Sequence, residues 1–183
     1  MSKFEKLMSL LPNEIDAALI TEDVNRRYFT GMKSSAGTVL VTREKAYLII
    51  DFRYIEKAQK TVRDAEVIMQ GKLYEQINGL LEKHGAKTLA IESRSATVEW
   101  LNSAKSAIKA EIDSSNALSD AIDRLRIVKS QDEIDKIIKA QRIAEAAFED
   151  VLNFIHPGVT EREIGLHLDY YCLLYTSPSP RDS

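Results

Sequence analysis

Metal chemistry and general acid–base catalysis need histidines, cysteines and carboxylates brought together, and this chain carries few in a usable spacing. Its three histidines are His84, His156 and His167, and none stands in an H-x-x-x-H or H-x-x-E pattern. His84 falls where a helix ends, and the partial negative charge there favours a cation. His156 stands beside Pro157 in a turn, and His167 falls on a helix. Asp132, Glu133 and Asp135 look like a carboxylate cluster. They fall in the first turn of a long helix, however, where negative charge offsets the macrodipole and Lys136 and Lys139 follow at helical spacing. The seven glycines form neither G-x-G-x-x-G nor a P-loop, so no nucleotide cradle is expected. The expectation is therefore no catalytic residue, no metal ligand and no cofactor within this chain.

Charge excludes other classes. Arg26, Arg27, Arg43 and Lys45 are not interleaved with aromatic residues and are read as solvated surface. With a formal net charge of −3 no basic face dominates, which argues against a nucleic-acid partner. A single cysteine, Cys172, suits a reducing compartment. The opening MSKFEKLMSLLPNEIDA is broken early by Lys3, Glu5 and Lys6 and has no signal-peptide core. No run reaches the roughly 20 apolar residues of a membrane span, so the expectation is a cytoplasmic protein with no membrane partner.

The elements that would position these side chains follow from periodicity. Short apolar, β-branched runs at residues 15–20, 38–41, 47–50, 66–69, 88–91 and 110–113 predict strands. Between them, helical patterns fall at 25–29, 52–63, 73–84, 95–108 and 116–126. The stretch GTVLVTREKAYLIID reads as a β-hairpin turning at residues 42–45, with Gly85 as a left-handed helix stop. The remaining strands alternate with helices, which predicts an α/β fold: a mixed sheet with helices on both faces.

Organisation changes near Arg126. Ser130-Gln131-Asp132-Glu133 is a capping box, and Ile134, Ile137, Ile138, Phe148, Val151, Leu152 and Ile155 then recur at helical steps. They predict one helix on the order of 26 residues, about 39 Å long, ending at His156-Pro157-Gly158. Thr160-Glu161-Arg162-Glu163 opens another, expected to run to Tyr171. The short helix from Thr160 to Tyr171 can cover only part of the long apolar stripe, so several of its residues are expected to be more exposed than Leu40, Leu48 and Ile49. Residues 172–183 break the helical period, and their SPSPRDS ending resembles the tail of a translation that has run into adapter or vector sequence. They are expected to be non-native.

Three stretches carry a family resemblance. Asn25-Arg26-Arg27-Tyr28-Phe29-Thr30-Gly31 is similar to the N-x-x-Y-[FL]-[TS]-G element of creatinase-type N-terminal domains. Ile50-Asp51-Phe52-Arg53-Tyr54, with Glu56 and Ala58, resembles the same family's strand end and following helix. Leu125-Arg126-Ile127-Val128-Lys129-Ser130, Glu133-Ile134, Ala140 and Pro157-Gly158-Val159-Thr160-Glu161 resemble the linker and opening helices of Xaa-Pro aminopeptidases and prolidases.

The resemblance implies a ribonuclease-H-like domain over 1–125, then a linker and the first two helices of an incomplete pita-bread metallopeptidase domain over 126–171. In such a parent, two divalent ions (Mn, Co or Zn), held by two Asp, one His and two Glu, hydrolyse Xaa-Pro peptides. This chain would be the non-catalytic part of that parent, inactive alone. A homodimer is implied, in which the loop containing Met32, Lys33, Ser34 and Ser35 helps to cap the partner's substrate site. Tyr28 and Arg53 are expected to be structural. The rival reading is a non-catalytic peptide- or protein-binding module, as in the large subunit of the histone chaperone FACT.

Overall fold

Successive side chains on a strand point to opposite faces of a sheet, so a strand buried at every position must be covered on both sides. The computed structural model, which describes residues 1–176, shows this for β1 (Ala17–Ile20), β2 (Thr38–Thr42) and β3 (Ala46–Ile50), each buried along its whole length. With β4 (Glu66–Met69), β5 (Thr88–Ile91) and β6 (Glu111–Asp113) they form one six-stranded sheet in the order β4-β3-β2-β1-β5-β6. β2 runs antiparallel to β1 and β3, while β3–β4, β1–β5 and β5–β6 are parallel. The hairpin closes where Thr42 N–H donates to Lys45 O at 2.8 Å. The two edge strands, β4 and β6, are the partly exposed ones and carry Glu66, Glu111 and Asp113.

The register sorts the core. Ala18 pairs with Val41 and Ile20 with Val39; with Leu48 and Ile50 they face α1 (Lys3–Leu10), α2 (Asp23–Thr30), α3 (Ile55–Thr61) and α6 (Ala117–Ile127). Ala17, Leu19, Leu40, Tyr47, Ile49, Leu89 and Ile91 turn the other way. They pack against Ile77 and Leu81 of α4 (Leu73–Lys83) and Ala104 of α5 (Val98–Ala107). This is the expected α/β architecture, a mixed sheet with helices on both faces.

Several element bounds depart from expectation; α5 starts at Val98 rather than at residue 95, and α1 and α3 have a clear local cause. α1 is an additional helix, opened by a capping box between Ser2 and Glu5 and burying Phe4, Leu7 and Met8 against the sheet. α3 starts later than its pattern predicts. The Asp51 carboxylate accepts from Arg53 N–H at 3.0 Å, and a turn closes from Tyr54 N–H to Asp51 O. That local bond competes with the helix and leaves Phe52 exposed.

The chain divides into two compact units, Met1–Val128 and a second from Lys129 onward. The second unit holds α7 (Gln131–Phe154) and α8 (Glu161–Thr176), which pack together. Ser130 and Glu133 form the capping box of α7, and Thr160 and Glu163 exchange the same pair of bonds before α8. The Thr160 backbone N–H, followed by its hydroxyl, holds the Glu163 carboxyl below its ordinary range. Val151 is buried, but Ile134, Ile137, Ile138, Phe148, Leu152 and Ile155 are exposed. α8 continues past Tyr171 to Thr176, so residues 172–176 keep the helix that the sequence pattern ends earlier. The other residues of the expected tail, 177–183, lie outside the described residues. Among the described residues no helix is long and apolar enough to cross a membrane.

Candidate functional site

The Asn25–Gly31 motif lies on α2, and each residue type has a local reason. β1 and β5 are parallel, so their ends lie side by side, and Glu92 comes directly after β5. Its buried carboxylate accepts from Thr21 N–H at 2.6 Å and Glu22 N–H at 2.9 Å, satisfying backbone donors where α2 begins. The other carboxylate oxygen accepts from Asn25 Nδ2 at 2.7 Å. Asn25 Oδ1 in turn accepts from Arg126 Nη1 at 2.9 Å. Tyr28 donates its hydroxyl to Leu125 O at 3.1 Å, and Phe29 stacks on Phe4 in the core. Gly31 closes the helix at φ 72°, donating to Arg27 O. The first family-like stretch therefore meets the start of the third, Leu125 and Arg126, in space: α2 holds the last turn of α6 through Asn25 and Tyr28.

Arg26 explains how the following loop is held. It is 4% exposed, and its guanidinium donates to Thr21 O, to Asp23 Oδ1 and, at 3.1 Å, to Ser34 O. Thr30 Oγ1 accepts from Met32 N–H at 3.2 Å, and the Met32 side chain is buried. Ser35 is tied from the other side, its N–H and hydroxyl both meeting the Tyr54 hydroxyl, at 3.4 and 2.9 Å. Those bonds, the side-chain one foremost, draw the Tyr54 hydroxyl below its ordinary value. Gly37, at φ 118°, has Ile49 O and the Ile50 side chain where a Cβ would point. The loop is thus anchored at Met32, Ser34, Ser35 and Gly37, and Lys33 and Ser35 stand exposed. Beside it lies an open cleft of about 420 Å³, lined by the loop, Asp23, Val24 and Arg27 of α2, Tyr54, and Lys57 of α3.

The four residues expected to form a capping loop therefore divide. Lys33, Ser34 and Ser35 line the cleft, whereas Met32 is a core residue. Tyr28 packs against the core with Lys3 Nζ 3.8 Å over its ring. Arg53 pairs with Asp51 at 2.6 Å, which raises the guanidinium and lowers the carboxyl through their shared hydrogen bond.

Of the arginines read as solvated surface, Arg26 is buried instead, while Arg43 is exposed but also braces the backbone. Arg43 gathers the carbonyls of Met8, Leu11, Pro12 and Ile15 at 2.5–3.5 Å, closing the loop between α1 and β1. Lys45 pairs with Glu66 across the β3–β4 edge at 2.7 Å, and Arg27 remains exposed. The histidines are dispersed. His84 stands between the Tyr47 hydroxyl at 2.7 Å and Glu44 at 2.8 Å, while His167 pairs with Asp150 at 2.6 Å. Among the described residues no three His, Cys, Asp or Glu converge as a metal site would require.

Sequence reasoning missed Glu92 and the roles of Arg26 and Arg43. For Glu92 the available signal was an acidic residue immediately after an apolar strand, at the level of an asparagine motif that follows another strand.

Comparison with known proteins adds the lineage. The family model for the Creatinase/Prolidase N-terminal domain matches residues 2–128. A Bacillus subtilis (strain 168) protein described as an uncharacterized peptidase, YqhT, is 36% identical over 172 residues, covering 92% of this chain and 48% of that protein. A solved Xaa-Pro dipeptidase from Bacillus anthracis superposes with a TM-score of 0.87 at 32% identity, covering 94% of this chain and 48% of the other. The prolidase from Pyrococcus horikoshii OT3 gives a TM-score of 0.77 at 30% identity, over 93% of this chain and 48% of that one. The chain spans about half the length of these relatives.

Proposed function

This chain belongs to the creatinase/prolidase N-terminal-domain family, and on that premise we propose that it is the non-catalytic N-terminal part of a proline-specific metallopeptidase. The parent would hydrolyse Xaa-Pro bonds in dipeptides or at peptide N-termini. What supports the reading most is the reach of the likeness. It runs past the family domain at residue 128 and through most of the second unit, against relatives described as Xaa-Pro dipeptidase and prolidase.

The chemistry divides accordingly. A two-metal hydrolase holds its ions about 3.5–4 Å apart with converging hard oxygen ligands that position the attacking water. The described residues do not fit such a centre, because no suitable trio converges. No hydrolytic step is assigned to them. The two divalent ions, Mn, Co or Zn, would belong to the rest of the parent.

What this chain supplies is a rigid platform for the 31–37 loop. Arg26 and Tyr54 fix the loop on either side, and Lys33 and Ser35 are presented outward. In a homodimer of the parent, those two side chains would help to close the partner's substrate site. The purified chain, incubated with Gly-Pro or an Xaa-Pro-Xaa peptide and Mn²⁺ or Co²⁺, is expected to show no turnover; turnover would refute the division of labour. In the full-length parent, Lys33→Ala and Ser35→Ala should change KM or kcat without lowering Tm. Wild-type kinetics in both would reduce the loop to a connector.

A further inference from the structure

The cleft beside the loop has a chemical character of its own. Arg27 comes from α2, Lys33 from the loop and Lys57 from α3, and all three line the same concavity with exposed side chains. None of the three is paired with a carboxylate among the described residues, so their charges are not neutralised within the cleft. The one acid in the lining, Asp23, is already engaged by buried Arg26. The cleft is therefore cationic on a chain whose formal net charge is −3, an arrangement that draws anions to one place.

Its other surfaces suit an organic body attached to the charge. Val24 is 53% exposed on one wall. Tyr54, on another, has its hydroxyl held by the Ser35 hydroxyl and N–H, which lower it from its ordinary value. The Ser34 and Ser35 backbone is already fixed by Arg26 and Tyr54, so little ordering is left for a ligand to impose. A volume of about 420 Å³ is larger than a bare ion needs and falls within the range of small-molecule sites. By contrast, the open concavity at the β6 end is lined by Glu14, Glu111 and Asp113, with no Lys or Arg among its lining residues.

We propose that the cleft lined by Arg27, Lys33 and Lys57 is a binding site for a small organic anion, a carboxylate or a phosphate ester. The cations supply the attraction, the Tyr54–Ser35 hydroxyl pair has one O–H left to donate a directed hydrogen bond, and Val24 accepts the apolar part of the ligand. All of the lining comes from one chain; it shares Lys33 and Ser35 with the loop proposed above to close a partner's substrate site, but anion binding to the isolated chain depends on neither a partner nor peptidase activity.

The test is an NMR titration of the whole ¹⁵N-labelled chain with inorganic phosphate, N-acetylglycine and N-acetylglycinamide at constant ionic strength. Saturable shifts are expected at the amides of Lys33, Ser35 and Tyr54 with one or both anions and not with the neutral amide. Phosphate alone would assign the site to phosphate esters, and N-acetylglycine alone to carboxylates. Arg27→Gln, Lys33→Gln and Lys57→Gln should each weaken binding roughly two- to fivefold, the worth of one exposed charge contact, and the triple variant at least about tenfold. Lys87→Gln with Lys109→Gln, in a different cleft, should leave it unchanged. Unchanged amide dispersion in each variant checks that the fold is intact. Failure of both anions to saturate, or saturation that survives the triple substitution, would overturn the proposal.

Discussion

Leu48 on β3 and Ile137 on α7 are both aliphatic residues on well-formed elements, yet one is 1% exposed and the other 54%. The difference does not lie in local signals, because both units open with the same device. Ser2 with Glu5 caps α1 as Ser130 with Glu133 caps α7. In the first unit every central strand finds helices on both faces. In the second, α7 and α8 meet each other and leave an apolar stripe uncovered. Caps and periodicity are enough to set helices; a core requires opposing layers. The uncovered stripe is what the proposed parent would bury with sequence beyond this chain.

The largest expected effect opens the comparison. Leu48→Ala removes a side chain buried within a two-faced core and should destabilise the first unit by about 2–5 kcal/mol in chemical denaturation. Ile137→Ala should cost well under that, since most of its surface is already wet. Equal losses would erase the distinction between the units.

Glu92→Gln comes next. It places an amide donor where the carboxylate accepts from Thr21 and Glu22 N–H, and should cost about 1–3 kcal/mol. The loss should fall on the first unit alone, read by hydrogen exchange at the start of α2. Tyr28→Phe removes only the hydroxyl bond to Leu125 O and should cost about 0.5–1.5 kcal/mol. Its sharper readout is faster exchange in the last turn of α6.

The smallest effect is electrostatic. The hydrogen bond from Lys45, and then its charge, hold the Glu66 carboxyl below its ordinary value. A carboxyl depressed in the folded state stabilises above its unfolded pKa and loses that contribution as pH falls through the folded one. The stability difference between wild type and Glu66→Gln should therefore be present near neutrality and shrink through the acidic carboxylate range. Both partners are half exposed, so salt should diminish it as well.

Much of this fold is legible in sequence because β1, β2 and β3 are short unbroken apolar runs and the helices between them keep their period. Capping chemistry placed the start of α7, since Ser130 and Glu133 carry it within three residues. What escaped depends on neighbours distant in the chain. Glu92 matters only once β1 and β5 lie side by side, and Arg43 only once the α1–β1 loop folds over it. Arg26 looks like surface when judged by its basic neighbours, and becomes buried because Thr21, Asp23 and Ser34 surround it. At the candidate site, Gly31 and Gly37 made the loop's limits visible. That Met32 points into the core while Lys33 faces the cleft was not visible, because alternation in a loop follows its anchors rather than a period. α8 ran past Tyr171 for a similar reason: Cys172–Thr176 carry no helix breaker, and the prolines come only after them.

The claim that one unit is a finished fold and the other lacks its cover is tested most directly by limited trypsin digestion of the whole chain. The account predicts cleavage at Arg126 or Lys129 and rapid loss of the second unit. The N-terminal fragment should persist and unfold with the same denaturant midpoint as the first unit of the intact chain. A junction that resists trypsin, or helices α7 and α8 as protected as the sheet, would contradict it.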